Sequence, residues 1–302
     1  MHEPSRREIR HQQRRSFHKK TILVSLFFIG MAVLLNVGLI FQSHNPLTQA
    51  KTANPINIVP NLFRSTSLSS QLKHQWKTDL KDVDSNVAIA VYSTKTGETY
   101  TYNTTPRHQY HTASTVKVAV LAGTLLKNDG DLDSQGREYA KAMIENSDND
   151  STTSLINDYL GGTDGLQDTF NQFQMTNTHA QSAWGMTTTT PSDQIKFLNN
   201  IFFSSNKLTE SEQNYIQSLM KNVESDQQWG ISAGSSDYAL KNGWLDQDDS
   251  DKWIVNSIGY VSGKDHNDYT IAVYSDDNSS MNSGEELIEK LARSTKKIMD
   301  KN

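Results

Sequence analysis

The sequence predicts an α+β fold of two lobes, an antiparallel sheet covered by terminal helices and an all-helical lobe inserted within it, behind an N-terminal transmembrane helix. Three observations predict it. Alternating apolar residues mark a hairpin at Asn86–Ser93 and Thr99–Tyr102 and late strands at Tyr238–Trp244, Trp253–Val261 and Tyr269–Ser275. Helical periodicity fills the interval between those two groups. A charge-free apolar stretch, Thr21–Phe41, precedes everything.

As a helix rising ~1.5 Å per residue, that stretch reaches ~30 Å and matches the hydrocarbon core of a bilayer. Residues 1–20 carry Arg6, Arg7, Arg10, Arg14, Arg15, Lys19 and Lys20 against Glu3 and Glu8. Positive charge stays inside, so the tail is expected in the cytoplasm and the rest of the chain outside. A cleaved signal peptide has a shorter apolar core and small residues at its cut, which Thr48-Gln49-Ala50 supplies poorly, so an uncleaved single-pass anchor is expected. Residues 42–67, polar and holding Pro46, Pro55 and Pro60, read as a flexible stalk. The remaining 68–302 read as one domain, with a sheet lobe at 68–112 and 224–302 and a helical lobe at 113–223.

Composition narrows the function. Setting aside the charges of residues 1–20, the 29 basic and 34 acidic residues of the chain become 22 and 32, a formal −10. No basic face is left for nucleic acid, and the tail is a topology signal against anionic headgroups. The 302 residues include no cysteine. That excludes disulfides, thiolate metal sites, cysteine nucleophiles and lipoprotein anchoring.

Leu72, Trp76, Leu80 and Val83 recur at helical spacing behind Ser69 and Ser70. The hairpin follows, turned at Lys95-Thr96-Gly97-Glu98. Helices are expected at Thr115–Lys127, Gly136–Asn146, Asp150–Leu160, Gly165–Phe173, Ser192–Phe203 and Glu210–Val223, broken at Asn128-Asp129-Gly130 and Gly161-Gly162. Short links, among them the acidic loop Asp246–Asp251, make the late strands an antiparallel meander. Glu285–Met299 closes the chain as an amphipathic helix. The cleft between the lobes is the expected site.

The chemistry begins at Ser114 and Lys117. Spacing i, i+3 stacks them on one helix face, and the flanking Val116, Val118, Ala119, Val120, Leu121 and Ala122 bury that helix. A buried lysine loses its charge readily and can serve a serine as base. Ser-x-x-Lys also starts at Ser16, Ser70, Ser204, Ser218 and Ser294, but only Ser114 opens a wholly apolar helix. Ser147-Asp148-Asn149 suits a helix cap and also a proton relay beside an amide. Lys241-Asn242-Gly243 places a cation and a glycine on a strand, where one attracts a carboxylate and the other admits close approach.

Taken in this order, the three motifs resemble the Ser-x-x-Lys, Ser-Asp-Asn and Lys-Thr-Gly set of class A β-lactamases and penicillin-binding proteins. Residues 70–300 resemble a class A β-lactamase-like serine hydrolase. Trp184-Gly185, Thr187–Asp193, Gln228-Trp229-Gly230 and Leu240–Trp244 resemble its membrane-anchored Gram-positive members. The resemblance implies a β-lactamase/D,D-peptidase-like fold. It implies an acyl-enzyme on Ser114, with Lys117 as base or relay and Ser147 as proton donor to the leaving nitrogen. Asn149 would orient the acyl side chain, and Lys241 and Asn242 would face a substrate carboxylate. The amides of Ser114 and Trp244, beside Gly243, would form the oxyanion hole. Substrates would be β-lactams or cell-wall peptides of peptidoglycan, with no cofactor, no metal and no nucleic acid.

Three features depart from that pattern. In the family's lactamases a glutamate beyond Ser-Asp-Asn activates the deacylating water. Here no glutamate stands between Glu145 and Glu210, and Asp158, Asp164 and Asp168 are the acids left. The segment between Ser114 and Ser147 is short, and Asn242 replaces threonine. The expected outcome is acylation with slow deacylation. The alternative is a catalytically idle wall-binding or sensor module that keeps the fold. Lys95-Thr96-Gly97 is a literal Lys-Thr-Gly, but it precedes Ser114 in a hairpin turn and reads as the bend itself. His108-x-x-His111 lacks a zincin glutamate. Asp129-x-Asp131-x-Asp133 has Ser134 and Ala140 where a calcium loop needs glycine and glutamate, so neither reads as a metal site.

Overall fold

The computed structural model describes residues 67–247 and 250–302. The expected cytoplasmic tail, the expected membrane anchor and all but the last residue of the expected stalk lie outside the described residues. Among the described residues no helix is long and apolar enough to cross a membrane.

Strands β1 (Asn86–Ser93), β2 (Glu98–Asn103), β5 (Tyr238–Gln247), β6 (Lys252–Val261) and β7 (Tyr269–Asn278) form one antiparallel sheet in the order β2-β1-β7-β6-β5. The late meander is as expected, and β1 joins it through β7. A two-residue ladder missed by the sequence reading, β3 (Tyr110–His111) with β4 (Thr188–Thr189), ties the segment just before the helical lobe to the later part of that lobe.

Strand β1 explains why the sheet is covered on both sides. Val87, Ile89 and Val91 pack with helices α1 (Leu68–Asp79) and α8 (Met281–Met299) through Leu72, Trp76, Leu287, Ile288 and Leu291. Ala88 and Ala90 face the other way and join the core of the helical lobe, as do Ala272 and Tyr274 of β7. Period-two alternation thus feeds two cores from one strand.

The helical lobe holds α2 (Lys117–Lys127), α3 (Ser134–Glu145), α4 (Asn149–Ser154), α5 (Gly162–Gln172), α6 (Pro191–Phe202) and α7 (Glu210–Lys221). The helix expected at Asp150–Leu160 splits: after α4 the chain widens into a π-helical segment, Leu155–Leu160, that ends on left-handed Gly161. Caps set several starts. Asp133 accepts from the Gly136 amide, Asp148 from that of Ser151, and Thr209 with Glu212 closes a capping box.

Helix α2 carries the proposed base and is buried almost all round. Its Gly123 allows α5 and the π segment to close on it. A Cβ there would lie 2.1 Å from Thr169 Oγ1 and 2.9 Å from Leu160 Cδ1. Gly123→Ala is expected to cost about 1–3 kcal/mol by overpacking. It should appear as a lower urea midpoint at unchanged slope.

Candidate active site

The Ser114 turn is held from three directions. Thr112 N donates to Thr187 O at 2.8 Å. Asn256 Nδ2, reaching from β6, donates to His111 O at 2.9 Å and Thr112 O at 3.2 Å. Thr115 Oγ1 donates to Thr112 O at 2.7 Å and lies 2.8 Å from the Tyr274 hydroxyl of β7. Within this frame the chain enters a 3₁₀ turn, Ala113–Val116, rather than starting α2 at once. Buried Ala113 sits at φ 47°, a left-handed conformation held against its sterics by those bonds. Ser114 follows in the first turn, where its amide has no intrahelical acceptor and the helix field favours negative charge.

Ser114 lines a cleft of about 450 Å³ together with Ala113, Asn146, Ser147, Asn149, Ala183, Trp184, Gly185, Met186, Gln227, Trp244 and Leu245. Lys117 lies beneath it, fully buried. Its Nζ donates to Ser147 O at 2.6 Å, Asn149 Oδ1 at 2.8 Å and Ser147 Oγ at 3.0 Å. The Trp184 ring covers the same nitrogen, 5.1 Å from its centroid. Burial lowers the ammonium to about 8, and the nearby Asp148 carboxylate opposes that shift.

Helical spacing predicts a direct Ser114–Lys117 contact. The structure directs the amine elsewhere, because three acceptors on Ser147 and Asn149 satisfy its three hydrogens. Ser147 delivers two of them from a left-handed backbone, φ 57°. Asp148 turns away to cap α4, and its own hydrogen bonds with Ser151 hold its carboxyl below the usual range.

Strand β5 forms the opposite wall. Ser262 N donates to Asp237 O, which makes 237/262 a hydrogen-bonded pair; strict alternation extends this to 239/260, 241/258 and 243/256. The amides of Asn242 and Trp244 therefore point to the free edge of β5, away from β6. That edge meets the Ser114 turn so closely that a Cβ on Gly243 would stand 2.7 Å from Ser114 N. Ser114 and Trp244 line the cleft from its two walls.

The side chains of β5 divide. Lys241 is fully buried with Nζ 3.3 Å from Asn242 O, and burial followed by the Lys117 charge lowers it well below an ordinary lysine. Asn242 was expected to face a substrate carboxylate. Its amide instead donates to Gln227 O at 2.8 Å and Trp229 O at 3.0 Å, so both its hydrogens are committed to a loop. Lys241, expected to face the same carboxylate, does not line the cleft either, and nor does Gly243.

Among the described residues no carboxylate lines the cleft. Asp158, Asp164 and Asp168 are exposed and lie elsewhere. Lys95-Thr96-Gly97 remains in its hairpin, with Lys95 Nζ donating to Asn302 O at 2.5 Å. His108 pairs with Asp276 and His111 Nδ1 with Met186 O, so the two histidines part company. Among the described residues no group of three or more His, Cys, Asp or Glu side chains is placed to hold a metal. Sequence reasoning missed Gln227, Met186 and Leu245 as cleft residues and Asn256 as the tether of the Ser114 turn. Only the neighbouring Gln228-Trp229 and Trp184-Gly185 segments carried a signal.

Solved structures share this architecture. A class A β-lactamase from Bacteroides cellulosilyticus is 17% identical with a TM-score of 0.70, covering 78% of this chain and 100% of its own. The TLA-1 extended-spectrum β-lactamase is 19% identical with a TM-score of 0.68 and the same coverages, 78% and 100%. A β-lactamase from Chitinophaga pinensis is 16% identical with a TM-score of 0.66, covering 74% and 97%. At such identities the likeness defines the fold, that of class A β-lactamase-like serine hydrolases. A search of curated proteins finds no match. The sequence model of the β-lactamase enzyme family matches residues 133–299, more than half of the chain, and this chain belongs to that family. The matched segment begins after Ser114 and Lys117.

Proposed function

We propose that the chain is a membrane-anchored, extracellular acyl-serine hydrolase that acts on β-lactams or D,D-peptides and deacylates slowly. The observation that carries this reading is one cleft lined by Ser114, Ser147, Asn149 and Trp244 with a buried Lys117 below it. Ser114 attacks the carbonyl carbon, and the amides of Ser114 and Trp244 receive the oxyanion. Neutral Lys117 is the base: on losing a proton it gives up one of its three contacts with Ser147 and Asn149, and the lone pair so freed takes the Ser114 proton and hands one on to Ser147. Ser147, 3.0 Å from the amine, passes the proton to the leaving nitrogen as the C–N bond breaks. With no acid in the cleft among the described residues to activate water, the ester persists. Placement outside the membrane rests on the Thr21–Phe41 stretch and the basic tail before it.

Intact mass of the full-length protein mixed with a penicillin tests the reading. A stoichiometric adduct is expected, absent in Ser114→Ala and decaying over hours. Failure to form an adduct at any dose rejects it. The second reading, an idle wall-binding module, draws support from the missing acid and from an amine wholly engaged with Ser147 and Asn149. It expects peptidoglycan fragments to bind equally to the native protein, Ser114→Ala and Lys117→Ala, without turnover.

A further inference from the structure

We propose that a second pocket, where the end of α5 meets α6 and the α6–α7 loop, binds an acidic saccharide, a hydroxyl-rich ring bearing a carboxylate. It encloses about 280 Å³, near the lower bound of small-ligand sites, and so admits a single ring. It shares no lining residue with the catalytic cleft and is independent of the chemistry at Ser114.

The walls carry hydrogen-bond donors in excess. Lys207 enters from the α6–α7 loop with its backbone amide held to Ser205 Oγ at 3.0 Å. Among the described residues its ammonium group has no hydrogen-bond or ion-pair partner. Lys196 Nζ donates to Asp193 Oδ1 at 2.7 Å and Gln174 O at 3.2 Å, which leaves it one hydrogen. Asp193 itself is fully buried, with its other oxygen accepting from Asn177 N and Thr178 Oγ1. Asn199 Oδ1 accepts from Thr270 Oγ1 at 2.6 Å, and Asn200 Oδ1 accepts from Ser205 Oγ at 3.0 Å. Those bonds fix both amides and leave Nδ2 hydrogens to spare. Among the described residues no carboxylate lines the pocket. Lys196 is thus matched by Asp193, whereas Lys207 is an unmatched cation in a chain of formal charge −5.

Chemistry selects the ligand. A carboxylate supplies the acceptors that Lys207 calls for. The side chains of Gln172, Gln174 and Asn206 also line the pocket and make no hydrogen bond among the described residues. Carboxamides both donate and accept, as sugar hydroxyls do. Phe173, 3% exposed, adds an apolar patch, its ring fixed edge-on to Phe197 at 4.9 Å between centroids. The C–H face of a sugar ring covers such carbon, which a bare anion leaves unused.

The test measures dissociation constants of the full-length protein by NMR titration with three probes. They are N-acetylmuramic acid, N-acetylglucosamine as the ring without the carboxylate, and lactate as the carboxylate without the ring. The acid sugar is expected to bind at least about 10-fold tighter than either fragment, because a charge-assisted hydrogen bond adds to the ring contacts. Ser114→Ala should bind it as the native protein does. Lys207→Gln should lower it to the level of the neutral sugar with acylation of Ser114 unchanged, and Lys207→Arg should keep the preference. Lactate binding as tightly as the acid sugar overturns the saccharide and leaves a plain anion site. No binding of the acid sugar overturns the proposal, as does a folded Lys207→Gln protein with the preference intact. Binding lost in Ser114→Ala would place the sugar in the catalytic cleft and overturn the proposal as well.

Discussion

Lys117→Ala is expected to lower the rate of Ser114 acylation by about 10²–10⁴, the usual loss for a positioned general base. The native rate should rise with pH along a limb centred near 8, because the neutral amine accepts the proton and burial sets its titration at about 8. Asp148→Asn supplies the sign test. The carboxylate opposes the burial effect, so neutralising it should move the limb to lower pH while the amide still caps α4. A limb that stays in place, or moves upward, contradicts Lys117 as the titrating base. Linkage gives the matching stability trend. Between about 8 and the ordinary lysine value of 10.5 the unfolded chain binds the proton and the native protein does not. Stability from this group therefore rises with pH across that window, and the penalty for burying the charge is fully present below it.

Gly243→Ala is expected to disable the site from the opposite wall. The new methyl would stand 2.7 Å from Ser114 N, 2.8 Å from Thr115 N and 2.9 Å from Thr112 O, all backbone atoms that cannot rotate away. Relief requires β5 to retreat from the Ser114 turn, carrying the Trp244 amide with it. Loss of one oxyanion donor costs about 10²–10³ in rate, so the acylation constant should fall by at least that. The adduct assay reads it, with far-UV circular dichroism to show that the sheet persists. Near-native acylation by a folded Gly243→Ala protein would mean that the two amides do not act together.

Much of the sheet was legible because its strands alternate cleanly and its links are short. Strand β1 announced itself through Val87, Ile89 and Val91, and the meander through Tyr238–Val261. Helix α2 was legible from its unbroken apolar run. The π segment was not, since widening from i+4 to i+5 leaves the apolar pattern of Leu155, Ile156 and Leu160 intact. The β3–β4 ladder was too short for any period to register.

In the site, spacing placed Ser114 and Lys117 on one face but said nothing of which acceptors a distant loop would bring. Ser147 and Asn149 arrive from thirty residues on and claim the amine. Asn242 is claimed in the same way, by the carbonyls of Gln227 and Trp229. Gln227 reaches the cleft because Asn242 and Asn146 tie its loop down, with Asn242 donating to Gln227 O and Gln227 Nε2 to Asn146 O. Those are contacts between segments far apart in sequence, which no local pattern encodes.

The position of β1 between β2 and β7 has a consequence for how the protein is made. Ala90 pairs with Ala272, so an early strand waits on nearly the last one. During synthesis from the N-terminus, helices α2 to α7 emerge complete while β1 still lacks one of its two neighbours. Until residue 278 is free, the Ser114 turn is without Tyr274 and Asn256 has no backbone amide of Ser275 to hold it. Nascent chains would thus remain open and inactive until the last turns of sequence arrive, with assembly of the catalytic centre as the closing event.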